Sequence, residues 1–444
     1  HCPANGRLDL TVDPAPGVSA AVDGGTARSG SQTVARTGLV ADQLIRIDLA
    51  GRVTETHYLR CLPADFPAMS STGKATTPGW YLSSTLGPNY VFILDEYGVP
   101  VWYKKTSNAV IGTWPLADGK LAWRIWTGGG FPGGNGNSEP VPFGFEFHDL
   151  SGAQTGGVGP VGGTEPLDWH DLIELPGGGH AVITYPAKRN TGVSRSCTKA
   201  TGGTTTTTWV VDSDIVELDA GGTETWRWSS KDHTNITENQ VAVCFDVNGT
   251  WVLDYMHLNS IERLADGDYV VGARHFNAIE RIDHTSKAVE WKLGGTTPKE
   301  GTLLSLRDAN GQAAGPGARP LGPHDARMLA NGNVTVHDNH LGGAARASEY
   351  AVNVGGGTAT LVWQYVSPNP FGSTLGSVRR QPDGSTAIAW GEGTNPWLEE
   401  VSAAGARTLA VTLPTGVFSY RAVKVPAATY DRATLRAASG GPAV

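Results

Sequence analysis

A short strand–turn–strand pattern recurs along this chain, and the recurrence limits the folds that it can adopt. One half of the repeat centres on an apolar residue, a small polar residue and glycine, as in RLADGDYVV (263–271) and LANGNVTV (329–336). The other half is a strand ending near Asp, a turn, and a strand ending in Trp, as in IERIDHTSKAVEWKL (279–293). Two halves supply about four strands, and a period of about 45–60 residues with a recurring Trp is typical of β-propeller blades.

The repeat predicts an all-β fold built on a six-bladed β-propeller. The 59 glycines and 27 prolines favour short strands and tight turns, and no stretch has a sustained helical period. We expect the recurring tryptophans to pack one blade against the next. The predicted blades lie near residues 80–110, 112–160, 168–230, 255–295, 322–367 and 374–426.

The residues ahead of the repeat have a different organisation. Four short strands separated by Gly, Pro and Asp turns predict a small amino-terminal β-sandwich-like domain over residues 1–75. We interpret the Ser/Thr/Gly/Pro-rich segment 70–79 as a linker. The propeller is then expected over 76–430, followed by a carboxy-terminal tail over 431–444.

Charge and hydropathy exclude several kinds of partner. The net charge of −8, without a Lys/Arg cluster, argues against nucleic acid or an anionic membrane surface. The apolar runs fall far short of the roughly 20 residues that span a bilayer. A small anionic ligand stays compatible with this composition, because it needs only local positive charge.

The four cysteines are compatible with two disulfides, Cys2–Cys61 and Cys197–Cys244. This is one of three pairings, and the sequence does not choose between them. Four free buried thiols are the alternative. No C-x-x-C motif is present, so neither a zinc nor a redox motif is expected. An even number of cysteines favours an oxidising compartment, so we expect a secreted or periplasmic protein. No signal peptide is visible at His1 of the given chain.

Three histidines recur at one position of the repeat. His170 and His324 each lie eight residues before a turn glycine, while His257 lies ten before one and has Asn259 at the eight-residue position. Ten and eight have the same parity, so these side chains should face the same side of their strands. If the strands are the innermost ones of three successive blades, the histidines converge on the channel.

Arg274 and His275 end the strand that follows His257, which adds positive charge to the predicted cluster. Two other interpretations stay open at this point. The histidines could be hydrogen-bonded structural residues at turns, or they could hold a metal ion. No carboxylate sits at a short ligand spacing, and Arg274 would repel a cation.

Three blocks of the chain resemble the bacterial arylsulfate sulfotransferase family in order and spacing. The resemblance is specific over about 168–340 and loose elsewhere. It implies a six-bladed propeller with a small amino-terminal β domain and export from the cytoplasm. It also implies transfer of a sulfuryl group between phenols without a nucleotide donor, in agreement with the absence of a P-loop, so no cofactor is expected. The blocks are DWHDLIELPGGGHAVITY, DYMHLNSIERLADGDYVVGARHFNAIERID…VEWKLGG and PHDARMLANGNVTVHDNH.

The resemblance also implies roles for individual residues. His324 takes the place of the family nucleophile, and His257, Arg274 and His170 take its anion-binding and acid–base positions. A neutral imidazole that attacks sulfur implies a ping-pong route through a sulfohistidine. The expected partners are small aromatic substrates, an aryl sulfate and a phenol, and a homodimer is compatible with the resemblance. The positions implied for substrate binding are Asn259, His275 and Asp338.

The sequence departs from the family at one position, and two other functions are compatible with the predicted site. Asp325 follows His324 where some relatives have a neutral residue, and its carboxylate is expected to raise the basicity of the imidazole or fix its tautomer. The same His/Arg group could instead catalyse acid–base chemistry, such as a condensation, cyclisation or hydrolysis, on another aromatic molecule. A non-catalytic propeller binding module is the second rival, but such a module has no evident need for all four site residues.

Overall fold

Short β-strands form nearly all of the regular structure. The computed structural model describes residues 1–3, 5–126, 144–366, 372, 374–392 and 395–440. In its first part, a two-stranded sheet (β1–β3) and a three-stranded sheet (β2–β4–β5) enclose a small core of Val22, Leu39 and Ile45. The strands of this sandwich-like region are β1 (Leu8–Val12), β2 (Ser19–Val22), β3 (Gln32–Arg36), β4 (Leu44–Ala50) and β5 (Thr54–Arg60).

The following strands form a series of sheets in which most neighbours are antiparallel. They are β6 (Ser70–Gly73), β7 (Gly79–Thr85), β8 (Tyr90–Leu94), β9 (Pro100–Lys105), β10 (Ala109–Pro115), β11 (Leu121–Trp126), β12 (Phe145–His148), β13 (Gln154–Val158), β14 (Leu167–Glu174), β15 (His180–Thr184), β16 (Arg189–Lys199), β17 (Thr204–Val211), β18 (Asp214–Leu218), β19 (Glu224–Ser229), β20 (Val243–Val247) and β21 (Thr250–Asp254). The later strands are β22 (Leu258–Arg263), β23 (Tyr269–Ala273), β24 (Ala278–Ile282), β25 (Val289–Gly294), β26 (Thr302–Arg307), β27 (Pro323–Met328), β28 (Asn333–Asp338), β29 (Arg346–Asn353), β30 (Thr358–Val366), β31 (Ser377–Arg380), β32 (Thr386–Ala389), β33 (Leu398–Val401), β34 (Arg407–Thr412) and β35 (Ala422–Pro426).

Within the described residues, six sets of four antiparallel strands follow one another, and we name them units 1 to 6. They are β35–β7–β8–β9, β10–β11–β12–β13, β14–β15–β18–β19, β22–β23–β24–β25, β27–β28–β29–β30 and β31–β32–β33–β34. The first strands of these sets contact one another in that order, and β31 returns to β35. The prediction of an all-β, propeller-like fold is confirmed, and six blades is our interpretation of the six units.

At both ends of the repeat region, a strand pairs with a unit that is distant from it in the sequence. The carboxy-terminal strand β35 pairs with β7 in unit 1, and the early strand β6 pairs with β34 at the edge of unit 6. The segment interpreted as a linker therefore begins as a strand, because the open edge of β34 offers unpaired backbone groups that β6 satisfies. The domain limits themselves stay predictions, and residues 441–444 of the predicted tail lie outside the described residues.

Tryptophans on the outer strands pack between units. Trp102 of β9 and Trp228 of β19 are fully buried. The Trp102 indole N–H donates to the carbonyl of Leu150 in unit 2, and the Trp228 indole donates to the carbonyl of Lys287 in unit 4. Each indole buries a large apolar area while its N–H is satisfied by the next unit. These contacts explain the recurrence of Trp in the repeat.

Strands β16 and β17, inserted between β15 and β18 of unit 3, form a small closed barrel with β20 and β21, which lie between units 3 and 4. We call this barrel the cap. The Cys197–Cys244 disulfide joins β16 to β20 inside the cap, and Cys2–Cys61 joins the start of the chain to the end of β5. The predicted pairing is thus confirmed. Helix is minor, with α1 (Ser230–His233) and α2 (Arg432–Ala438). In the described part of the chain, no helix has the length and apolarity to cross a membrane.

Removing the cap disulfide should destabilise the protein. The bond closes a loop with a sequence separation of 47 residues. Without it the unfolded chain gains conformational entropy, which typically costs about 2–4 kcal/mol of stability. We expect the Cys197→Ala/Cys244→Ala double variant to lose that amount in urea unfolding followed by tryptophan fluorescence. Ser194→Ala in the cap is the control, and equal unfolding midpoints for double variant and wild type would contradict the expectation.

Candidate active site

The sequence-predicted histidines and arginine meet at one end of the inner strands. His170 lies on β14 and His324 on β27, while His257 precedes β22 and Arg274 opens the turn after β23. The imidazole centroids of His170 and His257 are 4.9 Å apart. Burial is the main cause that lowers the pKa of His324 well below its ordinary value, and interactions with Arg274, His170, His337 and His257 act in the same direction.

Register shifts in the strand pairing orient these side chains. The register of β14 against β15 shifts in the stretch that contains His170, and that of β27 against β28 shifts directly after His324. The register of β22 against β23 shifts just after its first residue, close to His257. His257 and Asp325 also have positive φ angles of 54° and 52°. Such bulges and strained residues redirect side chains and are common beside active sites. The same irregularity at three repeat positions creates one cluster.

His170 and His257 are each paired with a carboxylate. Nδ1 of His170 lies 2.7 Å from Oδ1 of Asp168, and Nδ1 of His257 is hydrogen-bonded to Asp254. Burial lowers the pKa of His170, and the Asp168 charge opposes that shift. Burial would raise the pKa of Asp254, but the neighbouring histidines outweigh it and hold it below the usual value. Each carboxylate favours a proton on its imidazole and leaves Nε2 to exchange one.

His324 has a neutral partner instead. Its Nδ1 lies 2.5 Å from Oδ1 of Asn339, whose amide NH₂ donates to the carbonyls of Gly372 and Leu375 at 2.7 and 3.0 Å. Because those two carbonyls can only accept, the oxygen of the amide must face His324, so Nδ1 carries the proton. The backbone N–H of Leu375 donates to Nε2 at 3.3 Å. His324 therefore has an unprotonated Nε2, the form that can act as a nucleophile.

His275 holds Arg274. Nδ1 of His275 donates to the carbonyl of Asp254 at 2.6 Å, and its Nε2 lies 2.9 Å from a guanidinium nitrogen of Arg274. Burial lowers the pKa of His275 to about 3, so the ring is neutral and accepts from the guanidinium. His275 thus positions the arginine rather than adding a second positive charge.

The same contacts oppose a metal ion. Asp254, His257 and His275 offer ligand atoms that all lie within 4.8 Å of one another. A metal would need the lone pair of Nδ1 on His275, and the proton would then move to Nε2, where it faces the N–H of Arg274. Two donors would oppose each other, and the guanidinium would repel the cation. The charge of Arg274 favours an anion over a cation at this position.

The remaining sequence-predicted residues contact protein groups. Asn259 donates to the carbonyl of Pro323 at 2.8 Å, which ties β22 to β27 beside His324. Asp338 accepts from the backbone N–H groups of Leu321 and His340 and from Arg346. The structure does not bring Asp338 into contact with the histidine cluster; its neighbour Asn339 makes that contact.

Asp325 does not act on the His324 ring as expected. Its carboxylate accepts from Arg327 at 2.8 Å, from the backbone N–H of Val378 at 2.9 Å, and from Arg379. These partners hold the pKa of Asp325 far below its usual value despite burial. Asp325 has a positive φ, and its carboxylate binds these groups rather than the imidazole.

A buried aromatic residue that we did not predict lies among the histidines. The Tyr420 ring centroid lies 6.0 Å from that of His170 and 6.4 Å from that of His324. Burial raises the pKa of Tyr420 to about 12, so the phenol stays protonated. Tyr420 precedes β35, almost 100 residues after His324, and no repeat position marks it. The sequence does carry a signal for the carboxylates Asp168 and Asp254, because they lie two and three residues before their histidines.

Comparisons with known proteins fit this geometry. The family model of the arylsulfotransferases (ASST) matches residues 170–404, more than half of the chain. The chain belongs to the arylsulfotransferase family. No curated protein resembles this family member closely enough to match it.

Solved structures with a similar fold share little sequence with it. A protein of unknown function from Bacteroides caccae is 12% identical, with 79% of this chain and 99% of that chain covered and a TM-score of 0.44. AztD from Citrobacter koseri is 8% identical, with 79% and 99% covered and a TM-score of 0.39. Virginiamycin B lyase from Staphylococcus aureus is 10% identical, with 78% and 99% covered and a TM-score of 0.34.

His337 pairs with His324 across β27 and β28, and among the described residues neither of its ring nitrogens has a hydrogen-bond partner. Burial lowers its pKa to about 4. Between pH 6.5 and 4 the unfolded chain binds a proton at this site and the folded chain does not. Stability is therefore highest above pH 6.5 and decreases as pH falls toward 4.

Replacing His337 should weaken the pH dependence of stability. At pH 5 this one residue costs about 2 kcal/mol relative to pH 7. We expect His337→Leu to lose about 2 kcal/mol less than wild type between pH 7 and pH 5, as measured by urea unfolding. Packing effects of the substitution cancel in this difference. An identical pH dependence for both proteins would contradict the assignment.

Proposed function

We propose that this family member transfers a sulfuryl group from an aryl sulfate to a phenol through a sulfohistidine at His324. The supporting observation is the contrast between imidazoles in one cluster. His324 is held by the neutral amide of Asn339 with Nε2 unprotonated, whereas His170 and His257 are held by carboxylates. Environments that differ in this way separate a nucleophile from acid–base groups.

In the first step, Nε2 of His324 attacks sulfur, the nitrogen–sulfur bond forms and the bond from sulfur to the phenolic oxygen breaks. The departing phenoxide takes a proton from Nε2 of His257, whose Nδ1 stays bound to Asp254. Arg274, held by His275, stabilises the negative charge on the non-bridging oxygens. Asn339 accepts the Nδ1–H of His324 while the ring becomes positive.

In the second step, a phenol attacks the sulfur and returns its proton to His257. The nitrogen–sulfur bond breaks and its electron pair returns to Nε2 of His324. The enzyme regains its starting charge, so no cofactor is consumed. The two disulfides support the further proposal that the protein works in an oxidising compartment, secreted or periplasmic.

The nucleophile is tested with 4-nitrophenyl sulfate, alone and with a second phenol. We expect nitrophenol release and, without acceptor, a mass gain of one sulfuryl group on the protein. His324→Ala should lose both, because it removes the nitrogen that is proposed to attack sulfur. His284→Ala, on the outer part of unit 4, is the matched control. Phenol release by His324→Ala at the wild-type rate would contradict a sulfohistidine, and binding without release would favour other chemistry on aromatic molecules.

The Asn339 partner predicts the pH profile of the first step. The pKa of His324 lies well below 6.5 in the folded protein, so the nucleophile stays unprotonated as pH falls from 8 to 6.5. A carboxylate at position 339 would favour the imidazolium and raise that pKa. We expect Asn339→Asp to move the acidic limb of kcat/KM to higher pH by about one unit or more. The exposed Asn310→Asp variant adds the same charge remotely, and an acidic limb that does not differ between the two variants would contradict the role of Asn339.

A further inference from the structure

The main chain at Leu375 contacts the reacting atom. Its N–H donates to Nε2 of His324 at 3.3 Å, which is long for a hydrogen bond. The φ angle of Leu375 is 67°, a left-handed conformation that a leucine adopts at a cost. The surrounding structure therefore imposes this direction on the N–H.

Several contacts hold this segment in place. Asn339, which orients His324, also donates to the carbonyl of Leu375 at 3.0 Å. The next residue, Gly376, donates its N–H to the carbonyl of Tyr420 at 3.0 Å, and a Cβ on Gly376 would lie 2.4 Å from the His337 ring. One side chain, Asn339, thus fixes both the nucleophile and the donor that faces it.

The chemistry of the proposed reaction changes what this N–H can bind. In the free enzyme it shares the lone pair of Nε2, weakly. Once that pair forms the bond to sulfur it is no longer an acceptor, and the nearest acceptors are the non-bridging oxygens on the same sulfur. A donor that is weakly satisfied at first and better satisfied during transfer lowers the barrier.

We propose that the backbone N–H of Leu375 is a catalytic donor to a sulfuryl oxygen, beside the guanidinium of Arg274. This inference rests on the proposed sulfuryl transfer through His324. It adds a main-chain group that no side-chain motif in the sequence can mark.

An amide-to-ester substitution at position 375 tests the proposal, because leucic acid in place of leucine removes only this N–H. The Leu375 carbonyl that Asn339 binds is unchanged. We expect sulfuryl-adduct formation with 4-nitrophenyl sulfate to slow by about 10²–10³-fold in a single turnover. The dissociation constant for the same sulfate, measured with the ester in the His324→Ala background, should stay the same. The control is an ester at Gly384, whose N–H serves a remote turn.

The outcomes separate the two proposals. Adduct formation at the wild-type rate or faster in the 375 ester overturns the catalytic N–H while sulfuryl transfer stands. Absence of an adduct in the wild type overturns both. If the ester does not fold, the intact protein labelled with ¹⁵N-leucine serves instead, with the Leu375 signal assigned by its loss in Leu375→Ile. A downfield shift of the Leu375 amide proton in the sulfated enzyme supports the donor role, and an unchanged shift overturns it.

Discussion

A buried layer of ion pairs at the axis of the propeller supports the rest of the structure. Asp171 and Asp325 share Arg327, while Arg421 binds Asp171 and Arg379 binds Asp325. These groups come from units 3, 5 and 6 and from the segment before β35, so the layer connects strands that are far apart in sequence. Removing one partner of such a buried pair typically costs about 3–5 kcal/mol, because a charge is left unpaired. The layer directly underlies the histidines, since Asp171 and Asp325 follow His170 and His324 in the chain.

Above that layer, the imidazole side chains have three different hydrogen-bond environments. An imidazole beside a carboxylate, as in His170 and His257, is suited to move protons. The imidazole of His324 beside an amide keeps a bare nitrogen, and that of His275 beside a guanidinium serves as a rigid acceptor. The hydrogen-bond partner, rather than the histidine itself, decides the chemistry. The proposed sulfuryl transfer uses all three of these environments.

The features that the sequence predicts correctly are those that follow a periodic rule. Alternation along a strand is periodic, so counting from turn glycines predicts that His170, His257 and His324 lie together. Partners set by bulges and crossovers are not periodic. The repeat therefore does not distinguish Asp338 from Asn339, which makes the contact with His324, and it does not show that Asp325 binds Arg327. Tyr420 and the Leu375 main chain carry no periodic signal. The Ser/Thr/Gly composition of 70–79 likewise concealed strand β6, because pairing depends on a distant edge.

The exchanged strands at the ends of the repeat region constrain how the chain reaches its native state. Gly79 of β7 pairs with Pro426 of β35, so unit 1 lacks its innermost strand until nearly the whole chain has been synthesised. Arg421, which completes the axial ion layer, arrives in the same late segment. Long sequence separation between pairing strands makes folding slow and leaves edges exposed meanwhile. This arrangement postpones completion of the ion layer beneath the histidine cluster until the last strand is in place, and a chain truncated before this segment would lack both Tyr420 and Arg421.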